Sequence, residues 1–225
     1  KSGKFIFEKL KKFLKIKNKI NQKWNSLNTL TNNASAIGSY DLDILSTKDG
    51  KNTTLEKIIN NDFEIIFLFG QDNLSFKKKN EFIVYVGSHG DKGAEIADIV
   101  LPGSAYTEQD GHFTNLEGKI QKSYKASYPP GNAKEDWEII NNLSKFLNKN
   151  LDIINKFDLE KKLIKSNNFY SKLGNIVKEK NFNIIIQSKI PFINSKLEIK
   201  QIDYYFTNPI CRASKTMLEC KTVKN

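Results

Sequence analysis

The sequence of 225 residues is poor in cysteine and histidine, and this shortage excludes a class of sites. Its two cysteines are Cys211 and Cys220, and its two histidines are His89 and His112. A structural zinc site or an iron–sulphur cluster takes four protein ligands, mostly thiolates. Because no histidine flanks the two cysteines, we expect no such site in this chain and two free thiols.

Arginine is the scarcest basic residue. Arg212 is the one arginine among 36 basic residues, although the net charge is +11. Proteins built to bind phosphate favour arginine for its planar, multi-donor guanidinium, whereas lysine, asparagine and isoleucine here follow A/T-rich codons. We therefore keep nucleic-acid binding only as an alternative. Because arginine is so rare in this sequence, we also predict that Arg212 is partly buried and makes two or more hydrogen bonds.

Long apolar runs and familiar ligand-binding motifs are also missing. The run Ile65–Phe69 is far shorter than the roughly 20 residues of a membrane-spanning helix, so we expect no direct membrane span. No Gly-Lys-Ser/Thr triplet or Gly-x-Ser-x-Gly pentapeptide occurs. The first residues lack the continuous apolar core of a secretory signal.

Short apolar runs predict an α/β fold with a mostly parallel sheet, flanked by helices. The predicted strands are Glu64–Phe69, Glu81–Val86 and Asp98–Leu101, and their apolar runs indicate a sheet covered on both faces. Helices are predicted over residues 5–24, from about Trp24 to Gly38, and over residues 53–61 with Thr53 or Thr54 as the N-cap. The first helix is expected to pack its apolar face on the domain, with a membrane-surface helix as the alternative.

The second half of the chain is less regular in its pattern. Ser104–Tyr128 predicts a polar loop with short hairpin pieces, and Asn132 followed by Glu135 predicts the start of a helix. The apolar face of that helix is expected to pack on the sheet; it comprises Trp137, Ile140, Leu143 and Leu147. We assign residues 1–150 to the α/β domain and residues 151–225 to an irregular extension, in which Phe182–Ile186 and Leu197–Phe206 are strands or short helices.

A glycine-rich loop follows the second predicted strand and is the most suggestive segment. Gly87, Gly90 and Gly93 place backbone amides where such loops bind phosphate, but their spacing matches no dinucleotide or Walker motif. We expect no cofactor at this edge. Four long side chains are instead expected to fill the cleft with mutual ion pairs: Lys92, Glu95, Gln109 and Lys119.

No catalytic, cofactor-binding or metal residue is predicted. Ser88, His89 and Asp91 are neighbours on one loop and cannot easily align as nucleophile, base and orienting group, so a histidine bonded to backbone is favoured. His112 has no second histidine or cysteine nearby. Three acidic residues lack the spacing of a calcium loop and are expected to pair with lysines: Glu108, Asp110 and Glu117.

A set of separated segments resembles the molybdopterin oxidoreductase superfamily, and within it the large iron–sulphur subunits of respiratory complex I. The segments are Gly90-Asp91, Ala97–Gly103, Ala105–Glu108, Asn115–Gln121, Pro129–Gly131, Glu135–Trp137 and Cys211–Met217, with a weaker match from Trp24-x-x-Leu27-Asn28. Lys119 stands where these sequences usually carry arginine.

The resemblance implies a structural role without a redox cofactor. The chain would complete the large subunit of the peripheral arm in mitochondrial complex I, while the whole complex passes electrons from NADH to ubiquinone. Iron–sulphur clusters would lie in the N-terminal part of that subunit, which this sequence lacks. Expected partners are that part and other peripheral-arm subunits, on the matrix side of the inner membrane. The alternative is a fragment of a molybdopterin oxidoreductase that still binds its cofactor.

Overall fold

A computed structural model describes residues 3–21, 25–28, 30–31, 33–42, 44, 54–72, 76–176, 191–194, 196 and 203–224. Its helices are α1 (Gly3–Ile16), α2 (Ala36–Asp41), α3 (Thr54–Asn60), α4 (Lys92–Glu95), α5 (Asp136–Phe146), α6 (Lys156–Ser166), a 3₁₀ helix (Asn168–Lys172), α7 (Pro209–Ala213) and α8 (Lys215–Lys224). Its strands are β1 (Ile65–Phe69), β2 (Phe82–Gly87), β3 (Ile99–Pro102), β4 (Gly111–Thr114) and β5 (Ile120–Ser123).

A parallel sheet in the order β1-β2-β3 forms the centre of the fold. Its three strands are those that the apolar runs predict, and α3 confirms the helix before β1. Parallel neighbours need a crossover between them, which residues 70–81 and the segment containing α4 supply. The mixed α/β class is therefore confirmed.

The core lies against one face of this sheet. Ile66, Leu68, Ile83 and Tyr85 are buried, and each buried side chain of this size contributes about 1.5–3 kcal/mol. Partly buried residues from the flanking segments cover them: Ile58, Phe63, Phe76, Ala94, Ile96 and Ala97. The expectation that both faces are covered is met only in part within the described residues. On the other face Val84 and Val86 are buried, whereas four side chains are 43–58% exposed: Ile65, Phe67, Phe82 and Ile99.

The predicted hairpin pieces form β4 and β5, which pair antiparallel. Helix α2 packs on β4 through Gly38, where an added Cβ would lie 2.8 Å from Ser35 Oγ and 3.3 Å from Thr114 Oγ1. Gly38 therefore lies inside a helix and does not end one. The helix expected between Trp24 and Gly38 is wrong for residues 25–28 and 30–31, which are not helical, while Trp24 lies outside the described residues.

Helix α1 is shorter and less covered than expected. It ends at Ile16, and Asn18 adopts a left-handed backbone with φ of 52°. Phe5 and Leu14 are partly buried, whereas Leu10 is 42% and Phe13 is 55% exposed. The packing of its apolar face on the domain is thus only partial in the part of the chain that the structure describes.

Helix α5 has the predicted position but a different buried face. Its N-cap is Glu135 and not Asn132. Asn141 and Ser144 are buried because their side chains find partners: Asn141 Nδ2 donates to Ile153 O (2.8 Å), and Ser144 Oγ donates to Asn141 O (2.7 Å). The expected apolar contact with the sheet is wrong, since Ile140, Leu143 and Leu147 are 43%, 37% and 61% exposed.

The C-terminal part is more helical than the irregular extension that the pattern suggests. It contains α6, the 3₁₀ helix, α7 and α8. Phe182–Ile186 lies outside the described residues, and of Leu197–Phe206 only residues 203–206 are described, without regular structure. No helix in the described ranges is long and apolar enough to cross a membrane.

Candidate functional site

The carboxyl ends of β1 and β2 meet at one edge of the sheet, where open α/β sheets ordinarily bind ligands. Strand β1 is followed by Gly70, with φ of 59°, and then by Asp72, which is 2% exposed. Strand β2 leads into the glycine-rich loop of residues 87–93. The site is therefore built from two strand ends and one tight loop.

Tyr85 explains two glycines of that loop. An added Cβ on Gly87 would lie 2.4 Å from the Tyr85 hydroxyl, and one on Gly93 would lie 2.5 Å from Gln71 O and 3.0 Å from the Tyr85 ring. Tyr85 is 1% exposed, and its hydroxyl donates to Asp72 Oδ1 at 2.5 Å and lies 2.8 Å from His89 O. The glycines thus make room for a buried tyrosine.

Arg212 reaches this edge from α7, whose first turn is capped by Asn208 Oδ1 accepting from Cys211 N (2.9 Å). Its Nη2 donates to Asp72 Oδ2 at 3.0 Å, and its Nε donates to Asp91 Oδ2 at 2.9 Å. The Arg212 side chain is 19% exposed. The prediction of a partly buried guanidinium with at least two hydrogen bonds is confirmed. We call Asp72, Tyr85, Asp91 and Arg212 the Arg212 cluster.

The charges of the Arg212 cluster are arranged against an added anion. Two carboxylates face one guanidinium, so the formal charge of the cluster is negative. Asp91 Oδ1 also accepts from Lys92 N (2.9 Å), placing a carboxylate at the start of α4. Burial and then the hydrogen bond to Asp72 raise the pKa of Tyr85 far above its usual value, so the phenol stays a neutral donor.

The space left at this edge is small. A cavity of about 180 Å³ is lined by His89, Gly90, Asp91, Pro209, Arg212 and Ala213. Pockets for cofactors and drug-sized ligands measure roughly 300–1,000 Å³. The described cavity is below that range.

The loop triad Ser88, His89 and Asp91 does not align. Ser88 Oγ lies 2.9 Å from His89 Nδ1, but both oxygens of Asp91 are bonded elsewhere, one to Arg212 and one to backbone. The ring contact of His89 is thus to a side chain and not to backbone as expected. Its carbonyl, in turn, lies beside the Tyr85 hydroxyl.

The long side chains expected to fill the cleft do not do so by pairing. Among the described residues, Lys92, Glu95 and Lys119 make no salt bridge with one another, and Lys92 and Glu95 are exposed. Gln109 is partly buried on the polar loop. The expectation of mutual ion pairs is wrong. Arg212, which is far away in sequence, pairs with the carboxylates at this edge instead.

A second charged cluster, which the sequence pattern missed, joins the hairpin to α5 and α6. Lys156 Nζ bonds to Asp110 Oδ2 (2.8 Å) and to Glu135 Oε1 (2.7 Å), and Trp137 Nε1 donates to Glu135 Oε2 (3.1 Å). Lys156 and the Lys125 amide hold the pKa of Asp110 below its usual value. We call Asp110, Lys125, Glu135, Trp137 and Lys156 the Glu135 cluster.

The three acidic residues of the polar loop behave differently from one another. Asp110 pairs with a lysine as expected. Glu108 Oε2 instead accepts from Ala105 N (2.9 Å). Glu117 makes no salt bridge within the described residues, so the prediction holds for one of the three.

His112 lies beside the Glu135 cluster. Its Nε2 is 3.6 Å from Glu160 Oε1, which also pairs with Lys122, and its ring meets Tyr170 edge-on at 5.7 Å. Burial lowers the pKa of His112, with Glu160 opposing this shift. No group of three or more histidine, cysteine or carboxylate ligands is found in the described ranges, and Cys211 and Cys220 are free thiols.

Comparison with known proteins gives two family matches. Residues 1–146 match the model of the molybdopterin oxidoreductases, and residues 186–220 match the model of the C-terminal part of the G-type subunit of NADH-ubiquinone oxidoreductase. Together the matches cover both the sheet and the segment that carries Arg212.

Curated relatives agree with these models. The NADH-ubiquinone oxidoreductase 75 kDa subunit of Reclinomonas americana is 40% identical over 98% of this chain and 32% of the relative. The G-type subunit of the NADH-quinone oxidoreductase of Rickettsia bellii is 36% identical over 99% and 31%. The mitochondrial 78 kDa subunit of Candida albicans is 36% identical over 88% and 28%. The chain thus spans about one third of the length of these relatives.

The parallel α/β sheet and the two family matches point to the same family. The chain therefore belongs to the molybdopterin oxidoreductase family, and within it corresponds to the C-terminal molybdopterin-like region of the large subunit of NADH–quinone oxidoreductases, the G-type or 75–78 kDa subunit.

Proposed function

We propose that this chain is a cofactor-free structural region of the large subunit in the peripheral arm of mitochondrial complex I. The proposal rests on the Arg212 cluster, which lies at the carboxyl ends of β1 and β2, where open α/β sheets ordinarily bind ligands. A guanidinium bonded to two carboxylates occupies that edge, and the carboxylates repel a pyrophosphate. The named activity of the relatives, NADH–ubiquinone oxidoreduction, would then belong to the whole assembly.

Partners and location follow from the same proposal. The chain would bind the cluster-bearing remainder of the large subunit and other peripheral-arm subunits on the matrix side of the inner membrane. Mitochondrial relatives from Candida albicans and Neurospora crassa support this location, although the relatives from Rickettsia are bacterial. Fractionation of mitochondria, with this chain followed by antibody, tests the location: its recovery outside the matrix-facing fraction would refute it.

The rival function is retention of a molybdopterin cofactor. To decide between the two, the assembled enzyme containing this chain is purified, and its molybdenum, tungsten and pterin are measured against its iron. We expect iron in the amount that the clusters require, with pterin and molybdenum far below one per chain. Pterin measured at about one per chain would establish the rival.

A further inference from the structure

Within the described residues, one face of the parallel sheet has only part of the cover that parallel sheets require. Successive strand residues point to opposite faces, and the register sets Phe67 beside Val84 and Val84 beside Ile99. The resulting face is entirely apolar, and we call it the open face; it consists of Ile65, Phe67, Phe69, Phe82, Val84, Val86, Ile99 and Leu101. Val84 and Val86 on the central strand are already buried, at 7% and 1% exposure, so the uncovered part is formed by the remaining residues. The Phe67 and Phe69 rings stack with their centroids 6.3 Å apart.

The open face is exposed along β1 and at the first residues of β2 and β3. Ile65 is 58% exposed, Phe67 and Phe82 are each 43%, and Ile99 is 44%. Parallel sheets are almost always covered on both faces, and contiguous exposed apolar patches mark interaction surfaces. Exposure of this patch to water is therefore not the state in which the protein functions.

The segments that connect the strands pack on the other face of the sheet. Ile58 from α3, Phe76 between β1 and β2, and Ala94 from α4 all pack on the core side. Right-handed crossovers in the order β1-β2-β3 place successive connections on the same face. The cover must therefore come from polypeptide outside residues 54–102.

We infer that the open face is covered by the part of the large-subunit polypeptide that lies outside the region matched by this chain. This inference rests on the proposed function. The matched region is about one third of each relative, so the remaining two thirds are available beside it. A second copy of this chain is disfavoured, because each copy carries a net charge of +11 and the two would repel.

The size of the open face limits the number and length of the helices that can cover it, and its side chains determine their polarity. Five strand residues span about 16 Å, and three strands about 4.8 Å apart accommodate at most two helices. A helix of that length has about 11 residues. Because the face offers no charged or hydrogen-bonding side chain, the contacting stripe must be apolar, with Leu, Ile, Val, Phe or Ala at helical spacing.

Photo-crosslinking in the assembled complex tests this assignment. Benzoylphenylalanine is incorporated at Phe67 and, as the comparison position, at Phe157, which is 63% exposed on α6. After irradiation of the purified complex, mass spectrometry should identify adducts between position 67 and large-subunit residues outside the matched region. Position 157 should not give those adducts. Adducts of position 67 with a second copy, with another subunit, with this chain or with solvent alone would overturn the inference.

A matched pair of substitutions gives a second readout. Phe67→Ser should reduce incorporation of the chain into the complex by about tenfold, and Phe157→Ser should leave it unchanged. Phe67 lies outside the buried core cluster, so circular dichroism of both variants should match the parent. Equal incorporation of the two would contradict the inference. Absence of the parent chain from the complex would instead refute the proposed function.

Discussion

Replacement of Arg212 by lysine is the sharpest test of how the C-terminal segment is attached. Lysine keeps the positive charge but has one nitrogen, which cannot occupy both the Asp72 and the Asp91 positions. The variant therefore loses at least one hydrogen bond to a carboxylate. With the usual magnitude for such bonds, the free energy of unfolding should fall by about 1–3 kcal/mol.

Arg212→Ala should cost more, because Asp72 has a fully buried side chain and, among the described residues, would keep the Tyr85 hydroxyl as its one side-chain partner. Breaking a buried ion pair in this way costs about 3–5 kcal/mol. The matched control is Lys221→Gln, which removes the exposed pair between Lys221 and Asp203 in the same segment and should cost less than about 1 kcal/mol.

The assay is urea unfolding followed by circular dichroism, with hydrogen exchange to localise the effect. Exchange in residues 203–224 should accelerate in Arg212→Lys and Arg212→Ala, and should change little in Lys221→Gln. If Arg212→Ala and Lys221→Gln have equal effects, Arg212 is an ordinary surface residue and the argument for the cluster fails.

Further predictions concern pH and the Glu135 cluster. The folded-state pKa of Tyr85 is raised, so its contribution is complete below pH 10 and is lost as the pH rises above that; Tyr85→Phe should remove this alkaline slope in urea titrations. The folded-state pKa of His112 is lowered, so stability should fall as the pH drops below about 6.5, and His112→Phe should flatten that fall in thermal melts between pH 7 and 5. Trp137→Phe removes the indole donor to Glu135, which keeps its bond to Lys156, and should cost about 1 kcal/mol by urea unfolding; a loss above 4 kcal/mol would show that indole packing dominates.

Local pattern is sufficient for the strands and for several helices. The apolar runs at Ile65–Phe69 and Phe82–Gly87 predict their strands because a buried parallel strand needs no alternation. The same argument also predicts that both faces are covered, which holds for the described residues on one face and only in part on the other. A run of apolar residues shows that a strand is meant to be buried, but not which polypeptide supplies the cover.

Helix α5 shows where the hydrophobic rule fails. The rule predicts that the apolar stripe containing Ile140 and Leu143 lies inside, whereas Asn141 and Ser144 are buried. Hydrogen bonds satisfy the Asn141 amide nitrogen and the Ser144 hydroxyl, which lowers the cost of burying them, whereas Asn141 Oδ1 is buried with no hydrogen-bond partner among the described residues. Such bonds depend on the path of residues 151–155, which no local pattern predicts.

In the Arg212 cluster, the sequence predicts the role of Arg212 but not the identity of its partners. The rarity of arginine is enough to predict a bonded guanidinium at Arg212. Asp72 and Asp91 lie 140 and 121 residues away from it, and nothing in their surroundings indicates the pairing. Long-range pairs of this kind are fixed by topology and not by local propensity.

The distance between Asp72 and Arg212 along the chain has a kinetic consequence. Closing a loop of 140 residues costs about 4 kcal/mol of chain entropy, which the contact must recover, so the pair should form late in folding. Interactions absent from the folding transition state act mainly on the unfolding rate. The Arg212 cluster would then determine how long the folded domain persists before its open face is covered.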